Sequence, residues 1–355
     1  LALEGLETAL DQSLTYFKRV PLDRKFRYGT DLYTAAHMIV SLEHLKTFLG
    51  SGPDPRSLER FIRRDFRIYE ARGNDEGKVL FTGYYEPTYP GSRSQSPACP
   101  YPVYSKPDDL LLINLSDFSD QYQGHRRLKA RVDTARKKVL PYYSREQISR
   151  IEDFHQRAVP VAFLKSRIDR FFLEIQGSGR VLTESGEQVR VHYAESNGNA
   201  YRSVGRYLID KGEIEKEKMS MQAIRRWLEA HPERMDEVLF HNQSFVFFKE
   251  EPDGPLGSLG VKVSAFRTLA TDARLFPKGA LCFAITRLPA TGQTPPLEQW
   301  GRSGLWVMNQ DTGGAIRGPA RADLFCGNGS HAEFTAGHKN VYGRLFFLVL
   351  DPDRS

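Results

Sequence analysis

Short apolar stretches separated by glycine and proline turns fill the last third of the chain, and they constrain its fold more than any other feature. Four of these stretches have the length and composition of a strand: Val261 to Thr268, Ala280 to Arg287, Leu305 to Met308 and Leu345 to Leu350. Turn residues punctuate the chain between several of them. This spacing predicts a β-barrel rather than a parallel wound sheet.

The earlier part of the chain mixes helical and extended patterns. Apolar residues recur at helical spacing through much of residues 1–50 and again through 57–70, which predicts a packing layer of helices. Residues 78–89 (KVLFTGYYEPTY) alternate as strands do. The pair Ser144 and Gln147 is a capping-box signature for a helix over 145–158.

One stretch in the middle of the chain carries the polar loop of most interest. In RFFLEIQGSGRV we predict a strand from Phe171 to Ile175, a turn over residues 176–179 and a second strand from Arg180. The glycines resemble a phosphate-binding loop only weakly, because no lysine and no helix start follows them. An exposed Gln–Ser edge fits recognition of hydroxyl and acetamido groups better.

Composition excludes few classes of protein. The 355 residues suffice for two domains, and a hydrophobic fraction of 40% with 26% charged residues is ordinary for a globular protein. The net charge of +6 includes one basic run, Arg126 to Lys138, which we expect to be a solvated helix face rather than a nucleic-acid site. Three cysteines without metal-ligand spacing argue against zinc, and a Cys282–Cys326 bridge stays open.

Two aspartates stand out near the C-terminus. Asp311 and Asp323 are twelve residues apart, and four glycines lie between or beside them: Gly313, Gly314, Gly318 and Gly327. The simplest prediction for this segment is a strand, a tight turn, an extended connection and then a second strand. It places the two carboxylates at the ends of neighbouring strands.

Either carboxyl could have a chemical role or a structural one. Trp306, Leu324 and Phe325 could wall a carboxyl, raise its pKa by desolvation and make it a general acid. Alternatively, Asp-Thr-Gly-Gly is an ordinary turn in which Asp311 bonds to its own backbone. Spacing alone favours the turn.

Several ordered blocks together resemble the MltA family, the membrane-bound lytic murein transglycosylases A of Gram-negative bacteria. The matching blocks are FTGYYEP (81–87), Tyr101 to Tyr104, FFLEIQGSG (171–179), YRSVGR (201–206), MSMQAIRRW (219–227), NQSFVFF (242–248) and Gly257 to Leu259. The C-terminal module, about residues 257–350, resembles the 3D domain, whose three aspartates match Asp272, Asp311 and Asp323. The resemblance covers roughly residues 78 to 350.

The resemblance implies a mainly β fold with peripheral helices and two domains. A double-psi β-barrel would be built from residues 1–105 and 241–355, and residues 106–240 would form a smaller inserted β-barrel. A deep cleft would separate the two domains.

The resemblance also implies an activity and a catalytic residue. The family's enzymes cleave the β-1,4 bond between N-acetylmuramic acid and N-acetylglucosamine in peptidoglycan, and they release 1,6-anhydromuramoyl products without using water. Their catalytic aspartate matches Asp323, although residues 319–322 are one residue longer here than the family spacing. One carboxyl acting as acid and then as base needs no metal or cofactor.

Further site residues follow from the same comparison. Asp311 could orient the substrate or stabilise positive charge at C1, or it could hold the glycine turn. For Asp272 we favour a structural role, and we keep it among the candidates for substrate binding. The candidates for glycan contact are Gln176, Ser178, Gly179, Tyr84, Tyr85 and Glu86.

The resemblance places the protein in the periplasm, anchored to the outer membrane as a lipoprotein through a lipid that this chain does not contain. The partners that the resemblance implies are peptidoglycan strands and murein synthases. Two alternatives stay open: a non-catalytic glycan-binding scaffold, and a two-carboxylate hydrolase, which would need a partner for Asp323.

Overall fold

The computed structural model describes residues 3–123 and 127–354. Its α-helices are α1 (Leu6–Phe17), α2 (Ala35–Leu49), α3 (Pro55–Asp65), α4 (Arg145–Arg150), α5 (Arg167–Gln176), α6 (Val204–Asp210), α7 (Met221–Ala230), α8 (Met235–His241) and α9 (Ser330–His338). Among these described helices, none is both long enough and apolar enough to cross a membrane.

The strands are β1 (Lys25–Tyr28), β2 (Asp31–Thr34), β3 (Phe66–Glu70), β4 (Val79–Glu86), β5 (Thr88–Ser92), β6 (Tyr101–Tyr104), β7 (Leu111–Ile113), β8 (Leu128–Asp133), β9 (Lys138–Pro141), β10 (Pro160–Leu164), β11 (Ser178–Leu182), β12 (Gln188–Ser196), β13 (Val246–Glu250), β14 (Thr268–Ala270), β15 (Leu281–Leu288), β16 (Gly301–Asp311), β17 (Arg321–Asn328) and β18 (Asn340–Leu350). The chain divides into two compact units, Leu1–Tyr85 with Asp253–Ser355, and Glu86–Pro252.

The first unit is a closed barrel. Its strands follow the order β15-β16-β14-β17-β4-β18, and β18 pairs again with β15, which closes a six-stranded ring. β14 runs parallel to β16 and antiparallel to β17. Buried residues of these strands contribute to a core in which leucine is the most frequent residue. The predicted β-barrel is confirmed.

Helices and a small hairpin from the N-terminal part cover this barrel. Buried Gln310 of β16 donates to the Ala9 carbonyl (2.7 Å) and to Ser13 Oγ (3.0 Å), and it thereby fixes α1 on the barrel. The helical prediction for residues 1–50 missed the β1–β2 hairpin. The helix predicted over 57–70 ends at Asp65, because residues 66–70 pair with β18.

The second unit is a six-stranded sheet with helices packed against it. The strand order is β13-β12-β11-β5-β10-β6, with β5 parallel to β11. Side chains from α5, α6, α7 and α8 form a core with this sheet. The capping box at Ser144 and Gln147 is present, so the predicted helix is confirmed, although α4 ends at Arg150.

The predicted strand from Phe171 to Ile175 is wrong, since these residues lie within α5. The Ser166 side chain accepts hydrogen bonds from the N–H groups of Ile168 and Asp169, which starts the helix. Gly177 ends it with a φ of 77°. The two capping residues outweigh the strand preference of the aromatic pair, and the next strand begins at Ser178.

Three further expectations are corrected by the structure. The basic run predicted as a helix face forms β8, a turn and the start of β9; its first residue, Arg126, lies outside the described residues. The strand predicted over Val261–Thr268 begins only at Thr268, because Phe266 takes a φ of 57° in a preceding turn. Cys282 and Cys326 are buried free thiols rather than a bridge.

Candidate active site

The short strand β14 lies between the two strands that carry Asp311 and Asp323. Ala270 is the register partner of Asp311 on β16 and also of Asp323 on β17. Asp311 is the last residue of its strand and Asp323 the third of its own. The prediction of strand ends is therefore close, but the two strands are not neighbours: β14 separates them, so their backbones lie about 10 Å apart.

The strand β4 brings a hydrogen-bond donor to each aspartate. Thr82 Oγ1 donates to Asp323 Oδ1 at 2.7 Å, and Tyr84 Oη donates to Asp311 Oδ2 at 2.7 Å. Residues two apart on a strand share a face, which explains why one strand can serve both carboxylates. Gly83 lies between them, and a Cβ there would lie 2.8 Å from the Cα of Ala336, so only glycine lets α9 pack this closely.

Asp323 is partly buried, and its surroundings favour the protonated carboxyl. Burial raises its pKa to about 6, while the Thr82 hydrogen bond and the charge of Arg321 lower it and the charge of Asp311 raises it. Arg321 Nη2 donates to Thr82 Oγ1 at 3.4 Å, so the hydroxyl that bonds Asp323 also contacts this cation. The only direct hydrogen bond that Asp323 receives within the described residues comes from a neutral group.

The apolar wall predicted around the carboxyl is only partly correct. Phe325 lies on the same strand face as Asp323, and its ring packs against Tyr84 with centroids 5.1 Å apart. Leu324 instead joins the barrel core. Trp306 packs against Phe283, 4.7 Å between centroids.

Asp311 is held by three donors. Its Oδ1 accepts from the N–H groups of Ser258 (2.8 Å) and Thr312 (2.7 Å), and its Oδ2 accepts from Tyr84. Burial raises the pKa of this carboxyl, and the three hydrogen bonds oppose that rise. The self-bonded turn weighed from the sequence is present at Thr312, while the bond from Tyr84 ties the same residue to β4.

Asp272 is a buried carboxylate that holds the loop between the other two aspartates. It accepts from the guanidinium of Arg274 (2.7 and 3.0 Å), from the Arg274 N–H (3.1 Å) and from the Gly318 N–H (2.9 Å). Arg274 is the main cause of a pKa well below the usual range. Asp272 thus stays charged and fixes the connection that leads from Asp311 to Asp323.

Two buried lysines of the barrel were not recognised as site residues from the sequence. Lys278 Nζ donates to the Asp311 carbonyl (2.6 Å) and to Asn309 Oδ1 (3.0 Å), and burial lowers its pKa to about 8. Lys339 Nζ donates to Thr286 Oγ1 and to the Arg287 carbonyl, both at 2.9 Å, and burial lowers its pKa to about 8 as well. Neither lysine belongs to a motif that would mark it in the sequence.

The remaining predicted contact residues are mostly buried. Tyr85 and Glu86 are 2% and 1% exposed, and Glu86 is paired with Arg180 at 2.5 Å. Gln176 is the last residue of α5 and is partly buried. The expectation of an exposed Gln–Ser edge is wrong for Ser178, which is 6% exposed.

Gly179 has a packing role. A Cβ at this position would lie 2.4 Å from Leu173 Cδ1, so this glycine allows β11 to lie against α5. The structure therefore groups Asp311, Asp323, Tyr84 and Asp272 in the barrel unit, whereas Gln176, Ser178 and Gly179 belong to the second unit.

Comparison with known families matches both parts of the chain. The family described as the MltA specific insert domain matches residues 80–249, and the 3D domain matches residues 267–349. The membrane-bound lytic murein transglycosylase A of Escherichia coli K12 is 31% identical over 317 residues, which cover 87% of this chain and 75% of that protein. The protein of the same name from Vibrio cholerae is 29% identical over 320 residues, with the same coverage.

Solved structures agree with this match. A membrane-bound lytic murein transglycosylase from Agrobacterium tumefaciens superposes with a TM-score of 0.78 at 27% identity, covering 98% of this chain and 93% of that one. Escherichia coli MltA with bound chitohexaose gives a TM-score of 0.71 at 26% identity and covers 99% and 91% of the two chains.

Proposed function

Because the chain belongs to the MltA family and is therefore a lytic transglycosylase that cleaves peptidoglycan, we propose that Asp323 is the single acid and base of its reaction. The observation that carries this proposal is the pKa of about 6, combined with a neutral hydroxyl as the only direct donor among the described residues. A carboxyl with such a pKa is protonated in a useful fraction of molecules near neutral pH and can also take a proton back.

The reaction follows from this one group. Protonated Asp323 gives its proton to the oxygen that joins C1 of N-acetylmuramic acid to the next N-acetylglucosamine, and the C1–O bond breaks. The carboxylate then removes the proton from the C6 hydroxyl of the same muramic acid, and O6 bonds to C1. The 1,6-anhydro ring closes, Asp323 is protonated again, and no water is consumed. The attack is intramolecular, which gives it a large effective concentration over bulk water.

Asp311 supports this chemistry without taking part in proton transfer. Its negative charge contributes to the raised pKa of Asp323 and can stabilise the positive charge that develops at C1. Its two oxygens already accept three hydrogen bonds, so it is poorly placed to activate a water molecule. This occupancy favours the transglycosylase over a hydrolase with two working carboxylates.

The ligand is a peptidoglycan glycan strand, and a structural relative was solved with chitohexaose. Tyr84 is the predicted contact residue closest to the chemistry, because its hydroxyl bonds Asp311 and its ring packs on Phe325. We assign a substrate contact to Gln176, which is partly buried at the end of α5. The buried candidates Ser178, Gly179, Tyr85 and Glu86 support the strands β11 and β4 rather than touching the glycan. Asp272 acts as a positioning residue for the loop that follows Asp311.

The protein belongs to the Gram-negative cell envelope, since its relatives are membrane-bound. We propose the finer placement that it acts in the periplasm at the outer membrane through a lipid anchor. Murein synthases are its proposed protein partners.

The test is a digestion of purified peptidoglycan sacculi followed by mass analysis of the soluble products. The unaltered protein should release anhydro-ended muropeptides, and Asp323→Asn should release about 1,000-fold fewer while still binding glycan strands. Reducing ends from the unaltered protein would mean a hydrolase, and binding with no product would mean a scaffold. Substantial turnover by Asp323→Asn would remove the acid–base assignment.

A further inference from the structure

The small sheet of β7, β8 and β9 presents an apolar face to solvent. Leu111 and Ala130 are cross-strand partners, as are Val132 and Val139, so these residues share one face of the sheet. Leu111, Val132 and Val139 are 39%, 52% and 58% exposed. Leu128 on the same face is 48% exposed. Single exposed apolar residues are common, but several on one sheet face mark an interaction surface.

The opposite face of this sheet attaches it to the rest of its unit. Lys129 forms an ion pair with Glu195 and donates to Ser196 Oγ at 2.8 Å. The guanidinium of Arg131 lies 4.3 Å from the ring centre of Tyr143. Residues 129 and 131 alternate with 128, 130 and 132, so the anchored face and the apolar face lie on opposite sides. Ala130 at the centre of the apolar face is only 4% exposed, and Leu112 on the anchored face is 41% exposed. The exposed apolar surface is therefore the part of the first face formed by Leu111, Leu128, Val132 and Val139.

Basic residues cluster at the turn that ends the β8–β9 hairpin. Arg136, Lys137 and Lys138 are exposed and lie three to five residues after Asp133. Asp133 is the one carboxylate on this turn, and it lies 3.7 Å from Arg136. The end of the hairpin thus combines two exposed valines with an excess of positive charge.

The exposed valines and the basic turn together favour one kind of binding partner over the others. A second copy of the chain would bring a second basic turn, and like charges would repel where the valine pairs meet. A glycan strand would meet apolar aliphatic groups, which offer neither hydrogen bonds nor aromatic stacking. A bilayer with anionic lipid offers both an apolar interior for the valines and negative head groups for the basic turn.

We infer that the apolar face of the β7–β9 sheet and its basic turn, residues 134–138, form a docking surface for an anionic lipid bilayer. The valines enter the interfacial region, and the basic side chains bind head-group phosphates. The contact is peripheral and reversible. It holds the enzyme against a membrane surface independently of catalysis, since no residue of the aspartate site belongs to this sheet.

The experiment measures flotation of the full chain, without any attached lipid, with vesicles of phosphatidylethanolamine and phosphatidylglycerol and with vesicles of phosphatidylcholine alone. Binding is expected to the anionic vesicles and to weaken with added salt. Val132→Thr with Val139→Thr keeps two β-branched residues in the strands and should weaken binding about 10-fold. Arg136→Gln with Lys137→Gln should weaken it about five-fold per charge and reduce the salt dependence.

The matched control is Ile68→Thr, an exposed β-branched residue on β3, which is 47% exposed and should leave vesicle binding unchanged. Circular dichroism and release of anhydromuropeptides from soluble glycan strands check that the double variants are folded and active. Equal binding to both vesicle types, or binding that survives both double substitutions, would overturn the inference. Two other results would also overturn it. In one, the valine substitutions abolish a dimer but not vesicle binding; in the other, they abolish glycan-strand binding but not vesicle binding.

Discussion

Asp272 and Asp323 belong to the same barrel unit and to the same module, yet their environments give them opposite chemistry. Asp272 is fully buried and accepts from a guanidinium and two backbone N–H groups, which hold its pKa well below the usual range. Asp323 is less buried and accepts from one hydroxyl, and its pKa rises to about 6. The contrast shows that the donors around a carboxyl, rather than the degree of burial alone, decide whether it becomes a fixed charge or an acid.

The largest expected change in the free energy of unfolding comes from removing the charge of Asp272. Asp272→Asn should lower the free energy of unfolding by about 2 kcal/mol at neutral pH, because the ion pair and the bonds to the loop weaken. Arg274 is largely exposed, which limits the loss. Urea unfolding measures it, and Asp75→Asn, at an exposed position, is the control.

The pH dependence of that loss has a definite sign. The folded-state pKa of Asp272 is depressed, so its contribution is fully present above the unfolded pKa of about 4 and disappears as pH falls below that value. The difference between the two proteins should therefore shrink in acid. A constant difference from neutral pH to strongly acidic pH would mean that Asp272 does not act through its charge.

The second effect has the opposite sign. Asp323→Asn should raise the free energy of unfolding by about 1–2 kcal/mol at neutral pH, because the folded protein no longer holds an ionised carboxyl in an unfavourable site. The pKa shift alone implies a larger gain in the free energy of unfolding. Solvent contact at this partly buried residue screens its charge and reduces the gain. The same urea experiment on both variants tests the comparison directly.

The sign follows from the raised pKa. The folded state binds the proton of Asp323 more tightly than the unfolded chain does, so stability falls as pH rises from about 4 through about 6. The gain in Asp323→Asn should vanish below the unfolded pKa. An inactive variant that is less stable than the unaltered protein would contradict the assignment of a destabilised acid.

The smallest effect concerns the hydrogen bond from Thr82 to Asp323. Thr82→Val removes the donor that lowers the pKa of Asp323, so the alkaline fall in activity should move up by about half a pH unit from its position near pH 6. Initial rates of anhydromuropeptide release across the pH range measure this shift. Thr88→Val, at an exposed threonine of β5, is the matched control and should leave the profile in place.

The sequence was sufficient to predict the barrel for a physical reason, whereas Asp323 was singled out by the resemblance to a known family and not by spacing. Alternating apolar residues and glycine turns are local signals, and they mark β15, β16 and β18 without knowledge of their partners. The local sequence displays apolar neighbours of Asp323, but it does not say which of them face the carboxyl. Side-chain alternation then corrects the detail, because Leu324 faces the core and Phe325 faces the acid.

The partners of the aspartates could not be predicted in the same way. Thr82 and Asp323 are 241 residues apart, and Tyr84 and Asp311 are 227 apart, so only strand pairing brings them together. Lys278 and Lys339 carry no motif, and their burial depends on the closed ring. The error at α5 has another origin: the capping serine lies outside the aromatic run that suggested a strand.

The closure of the barrel across the whole chain has a consequence for biogenesis. β4 emerges from the ribosome long before β17 and β18, so Thr82 of β4 cannot bond to Asp323 of β17 until the late strands have paired. Such long-range pairing makes folding slow and dependent on the complete polypeptide. A chain that is cut short before Arg321 lacks both Asp323 and the strand that pairs with β4. The hydrogen bond between Thr82 and Asp323 therefore forms only after the late strands have joined the barrel.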